Sequence, residues 1–380
     1  MKVDVAPELL RWAVERAGHS ETTLAGRFPK LGQWLRGEDR PTLKQLERLA
    51  QATRAPVGYF FLSEPSRETV PIPDLRTIEN VHIERPSPDL LDTIYLCQQR
   101  QEWYREYAQA TDEPPLAFVG SARRTDDVVA AAERIRAALG FSVDERRRLP
   151  TWTDALRRLI EQADALGVLV MVSGTVGSNN RRKLDPAEFR GFALSDPLAP
   201  LVFINGADTK AAQMFTLAHE LAYILLGASA LSDVGPVTVP SHDVERWCNA
   251  VAAELLVPLV ALRASLRSGE SLRETLDRLA REFKVSTLVI LRRLYDARRL
   301  TREQLDEAYE AELSRLREIA RLTGGDFYRT TTTRVGGRFA RAVVTAVWEG
   351  RASFTEASRL LGFRKMTTFY KLSRSLGVAV

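Results

Sequence analysis

His219 and Tyr223 stand one helical turn apart in an apolar stretch that runs from Phe215 through Thr216, Leu217 and Ala218 to His219, Glu220, Leu221, Ala222 and Tyr223. On a helix, residues four apart share a face, so an imidazole and a phenol are aimed into the same space, with the Glu220 carboxylate beside them. Neutral imidazole is a good metal ligand at neutral pH. A phenol titrates at about 10 and must lose its proton to compete, so the pair predicts a weak metal site. The plain alternative for Glu220 is an exposed or salt-bridged glutamate on a helix.

The spacing resembles the zinc-peptidase motif H-E-x-x-H, in which two histidines hold the metal and the glutamate activates water; here tyrosine takes the last place. A second segment accompanies it: Val244, Glu245, Arg246, Trp247, Cys248 and Asn249, continuing through Glu254 to Pro258. Together the two segments are similar to the ImmA/IrrE family of metallopeptidase-like proteins. That resemblance implies a zincin-like fold, Glu220 as catalytic general base, His219 and Glu245 as metal ligands, and Asn249 as the polar residue that orients a histidine. The implied cofactor is Zn2+, at low occupancy because one histidine is missing. Tyr223, His242 and Glu254 stay open as alternative ligands. Each also has a structural reading: Glu254 as a carboxylate held by backbone or arginine, and His242 as a solvated histidine near a helix start. Cys248, a soft donor, reads first as a buried structural thiol.

These residues need a scaffold, and the chain supplies one of class mainly α, α+β. Leu149 to Leu166 predicts a helix. Val168 to Val172, Phe189 to Leu194 and Leu201 to Ile204 predict short strands, and a long helix follows from Thr209. The strand at Phe189 to Leu194 is expected to offer an edge for an extended peptide. Beyond Pro258, helices are expected over 272–283, 286–300 and 301–322, with Gly324 and Gly325 as a break. The tail outlines a helix-turn-helix: 338–349, then 355–361, Gly362 as the turn, and 365–376. Arg359, Arg364, Lys365, Lys371 and Arg374 make it basic, with Phe369 and Tyr370 interleaved; a solvated face is the first reading, DNA or an acidic partner the second.

At the other end, residues 7 to 62 read as short packed helices. Leu24 and Ala25, Trp34 to Gly37, Pro41 and Thr42, and Leu46 to Ala50 resemble the Cro/C1-type (XRE) helix-turn-helix domain. That resemblance implies DNA contacts from Lys30, Gln33 and Arg36, because the second helix of the motif enters the major groove. Pro29 shortens that helix, so a structural or dimerising relic is the competing reading. The expected domains are therefore 1–64 (HTH-like), 65–148 (proline-rich linker and helical connector), 149–300 (metallopeptidase-like) and 301–380 (helical C-terminal region with an HTH-like outline).

Composition sets the outer bounds. At 380 residues, 45% hydrophobic and 27% charged, the chain is an ordinary globular protein too long for one core. The net charge of +5 permits nucleic-acid contact without requiring it. Two cysteines and no long apolar run predict a cytoplasmic protein with no membrane partner. The two resemblances together imply a bacterial cytoplasmic regulator, antitoxin-type or stress-response, whose degenerate peptidase domain binds protein or senses a ligand. The alternative is an active zinc endopeptidase that cleaves a repressor or partner protein. The partners implied are a PIN-type ribonuclease toxin or a repressor, operator DNA, and a second copy in a homodimer.

Overall fold

The computed structural model describes residues 2–66, 68–73, 86–232, 243–322 and 331–378, without the side chains of 317–322 and 331–332. The candidate ligand His242, part of the proline-rich linker (74–85) and the Gly324–Gly325 break lie outside these residues. The chain divides into two compact units, residues 1–71 with 83–94, and residues 72–82 with 95–380. It is mainly helical with one small mixed sheet, an α+β architecture.

In the first unit, α1 (Pro7–Arg16), α2 (Glu21–Ala25), α3 (Leu31–Leu35) and α4 (Leu43–Thr53) precede a 3-10 turn at Val57–Phe61. Ser20 with Thr23, and Thr42 with Gln45, form reciprocal capping boxes that satisfy the free N–H groups opening α2 and α4. Leu9, Leu10, Leu31, Trp34, Leu46, Leu49 and Phe60 make the core. The helix expected to enter DNA, α3, is a five-residue piece between Pro29 and the left-handed Gly37 (φ 76°).

α5 (Pro88–Ala110) gives its first turns to the first unit and the rest to the second. The second unit continues with α6 (Val128–Leu139), α7 (Val143–Arg148) and α8 (Trp152–Leu166). One helix was expected over 149–166; Pro150 divides the region, since proline disfavours helix in the residue before it. Then come β1 (Leu169–Ser173), β2 (Gly191–Leu194), β3 (Leu201–Asn205), α9 (Lys210–Leu226) and β4 (Ala230–Ser232). α10 (Asp243–Leu256), α11 (Leu259–Ala264), α12 (Leu272–Phe283), α13 (Thr287–Asp296) and α14 (Arg302–Leu322) complete the helical body. Thr209 caps α9 by accepting the Ala212 N–H, and Gly227, left-handed at φ 71°, ends it.

The sheet order is β1-β3-β2-β4, with β1 and β3 parallel and the β2 pairings antiparallel. Every residue of β1, β2 and β3 is buried, as expected of strands covered on both faces. The expectation of an open edge at Phe189 to Leu194 is corrected: β2 is interior, because β4, too short to show a period of its own, pairs with its far side. Both outer edges meet other parts of the chain. At β4 the Leu231 N–H donates to the Pro73 carbonyl at 2.9 Å. At β1 the Val170 N–H points to the Asp164 carboxylate at 3.5 Å, and Gly336 sits so close that a Cβ there would lie 2.7 Å from the Val170 carbonyl oxygen.

That glycine lies between the first two helices of the C-terminal part, α15 (Thr331–Val335) and α16 (Gly337–Trp348), which α17 (Phe354–Leu361) and α18 (Met366–Ser375) follow. The Asp164 carboxylate also accepts the backbone N–H groups of Gly337 and Arg338, the first two of α16, so one side chain ties the sheet edge to that helix start. Arg100 on α5 donates to the Leu360 carbonyl at 3.1 Å and further secures the region.

Candidate functional site

α9 is buried along nearly its whole length, Gln213 to Leu225, wedged between the sheet, α8 and α10. His219 and Glu220 are therefore fully enclosed. Sequence reasoning missed the residue that makes room for them. A Cβ on Gly191 of β2 would fall 2.5 Å from Thr216 Cγ2, 2.8 Å from the Phe203 carbonyl oxygen and 3.3 Å from Glu220 Oε1. A glycine inside an apolar strand was the available signal, since it marks a close approach of another element.

α10 brings Glu245 against this face. Its carboxylate receives the Tyr223 O–H on Oε2, while Oε1 lies 3.4 Å from His219 Nε2. The His219 and Tyr223 rings meet edge to face, with centroids 5.1 Å apart. Neither His219 ring nitrogen, nor Glu245 Oε1, nor Asn249 Oδ1 has a well-aligned hydrogen-bond partner among the described residues. Cys248, one turn from Glu245, is buried near both Glu245 and Glu220; the sequence alone had left its direction open.

Burial alone would lower the His219 pKa, but the Glu245 charge and contact, the Glu220 charge and nearby Asn249 outweigh it and raise the imidazole above its ordinary value. The Tyr223 phenol moves far up, first from burial and then from Glu245. Burial and the same two carboxylates hold the Cys248 thiol well above its usual range. Tyr223 and Cys248 are thus held in their neutral, protonated forms.

The donor set does not fit zinc. Structural and catalytic zinc sites use three or four anionic or imidazole ligands. Here His219 and Glu245 converge, but the third position holds a phenol whose proton is committed to Glu245. Among the described residues no group of three His, Cys, Asp or Glu could hold a metal ion. Glu254 does not join: it lies nine residues beyond Glu245, about two and a half turns along α10 and so on the opposite side. There it meets the Arg293 guanidinium and, at 3.4 Å, the Leu259 N–H. This is the arginine-held carboxylate foreseen as its structural reading.

The residues expected to touch DNA, Lys30, Gln33 and Arg36, are all exposed on and around α3. Two of them already face acids: Lys30 pairs with Asp39 at 3.1 Å, and Arg36 with Glu38 at 2.8 Å. Among the described residues no helix is long and apolar enough to cross a membrane.

No curated protein matches the chain. Residues 335–375, essentially α16 to α18, match a family described only as a domain of unknown function. Residues 163–295, which contain the sheet, α9, α10 and the His219 cluster, match a peptidase family described as the IrrE N-terminal-like domain, and the chain carries such a domain there.

Proposed function

We propose that the IrrE N-terminal-like domain of this chain is a recognition scaffold in a bacterial cytoplasmic regulator and no longer a peptidase. The observation that carries this reading is the Tyr223 hydroxyl bonded to the Glu245 carboxylate. The phenol oxygen that stands in the place of a third ligand keeps its proton, and burial opposes its loss. Without a metal-bound water, Glu220 has nothing to activate.

The test is zinc content by elemental analysis after stripping and reconstitution. Wild type is expected to hold far less than one zinc per chain. Tyr223→His is expected to approach one, and to lose it when His219→Ala is added. Stoichiometric zinc in wild type that disappears in His219→Ala overturns the proposal.

That outcome would favour the second reading, a zinc endopeptidase acting on a repressor or partner protein. It draws support from the His219 nitrogens and Glu245 Oε1, buried polar atoms that lack aligned partners among the described residues, with Nε2 facing Oε1. A PIN-type toxin or a repressor as partner, operator DNA at Lys30, Gln33 and Arg36, and a homodimer rest on resemblance alone. Co-purification, binding to the chain's own promoter and light scattering test them in turn.

A further inference from the structure

The C-terminal helices present a surface that the peptidase-like site leaves unexplained. α17 has eight residues, is capped by the Ser353 side chain on the Glu356 N–H, and ends at Gly362, left-handed at φ 71°. After Phe363, Arg364 and Lys365 the chain enters the ten-residue α18. α16 packs against both helices. Between them the Phe369 ring lies 5.8 Å from Phe354, 6.3 Å from Phe363 and 5.9 Å from Trp348, and Leu360, Leu361 and Leu372 are buried.

α18 buries Phe369, Leu372 and Ser373. Its other face exposes Met366, Thr367, Tyr370, Lys371 and Arg374, with Arg364 and Lys365 at its start. These positions follow the helical period and form one continuous stripe. From Phe363 to Val380 the sequence holds four basic residues and no acidic one. Among the described residues none of Arg359, Arg364, Lys365, Lys371 and Arg374 has a carboxylate partner. The contrast with Lys30 and Arg36, each paired to an acid, is direct.

We propose that α16 to α18 form a double-stranded-DNA-binding helix-turn-helix, with α18 as the helix that enters the major groove. Two helices joined by a short glycine turn, resting on a third, leave the second helix free on its outer face, which is the docking geometry of this motif. A ten-residue helix is about 15 Å long, and the major groove, about 12 Å wide, admits one. Lys371 and Arg374 then reach base edges or phosphates from the groove, Thr367 and Tyr370 add hydroxyl donors, and Arg364 and Lys365 meet the backbone where the helix enters. Gly362 packs on Ser178, whose loop carries the exposed Arg181 and Lys183 as further phosphate contacts beside the turn.

The test uses the full chain and a fluorescent 30-base-pair duplex, titrated by anisotropy at 50 to 200 mM KCl. Lys371→Ala/Arg374→Ala, both on the exposed face, is compared with Lys30→Ala/Arg36→Ala and with wild type, and circular dichroism melting checks that each is folded. The C-terminal pair is expected to weaken binding at least tenfold and to reduce the slope of log K against log salt by about 2, one for each phosphate left without its cation. The weakening should persist when the N-terminal pair is also changed. Absence of duplex binding by wild type at 50 mM KCl overturns the proposal, as does unchanged binding in the C-terminal variant. Poly-glutamate that competes as well as duplex DNA also overturns it, in favour of an acidic protein partner.

Discussion

Glu245 has two oxygens with opposite fates: one accepts the Tyr223 hydroxyl, the other faces an imidazole without an aligned bond. Tyr223→Phe keeps the ring and deletes the hydroxyl, leaving both oxygens of a buried carboxylate without a donor of good geometry among the described residues. A buried acceptor stripped of its partner costs about 1–3 kcal/mol, so urea unfolding of this variant should show a loss in that range. An unchanged midpoint would mean that water takes over the hydroxyl's role. At this scale the sequence was informative. The residue types at 219, 220, 223, 245 and 249 pointed to one cluster, and the structure gathers them. It could not say that the phenol donates to Glu245, nor that Cys248 turns inward, because both depend on how α10 rotates against α9.

Helices announced themselves through the period of their apolar residues, and at several starts a side chain, Ser20, Thr42, Thr151, Thr209 or Ser271, accepts a backbone N–H. β4 did not, since three residues carry no period, and the edge was consequently assigned to β2. Gly191 shows what the pairing of α9 with the sheet demands. Gly191→Ala puts a Cβ 2.5 Å from Thr216 Cγ2 on α9, and the Phe203 carbonyl oxygen at 2.8 Å, a backbone atom that cannot swing aside, leaves it no room to retreat. The helix must lift, at an expected cost of about 1–3 kcal/mol, readable as a lower thermal midpoint. His219 would move with it, so the variant should also lose any zinc that Tyr223→His gains.

Across the whole molecule, Asp164 joins what the sequence showed as separate. Burial lifts its carboxyl to about 6, against the pull of the N–H groups of Val170, Arg338 and Gly337. In the unfolded chain an aspartate titrates at about 3.9. The folded state therefore holds its proton more tightly, so its contribution to stability is greatest below about pH 4 and declines as pH rises towards 6. The decline should reach up to about 3 kcal/mol, and Asp164→Asn should remove it from a series of urea titrations between pH 4 and 7. A wild-type profile as flat as that of the variant would contradict this account. Nothing near Asp164 in sequence foretold the link, because its partners at 337 and 338 are brought to it only by the tertiary fold.

The contacts at the two edges of the sheet have a consequence for traffic with other proteins. A row of unpaired N–H and C=O groups is where foreign chains most readily attach, by accident or by design. Here Pro73 holds one border at Leu231, while Asp164 and Gly336 hold the other at Val170. A visiting strand must evict a resident first, and its apparent affinity is scaled down by the fraction of molecules in which that resident has already left. The arrangement works as a threshold: sparse or weakly matching peptides are refused, amyloid-like stacking is blunted, and only an abundant or tightly fitting visitor gains entry.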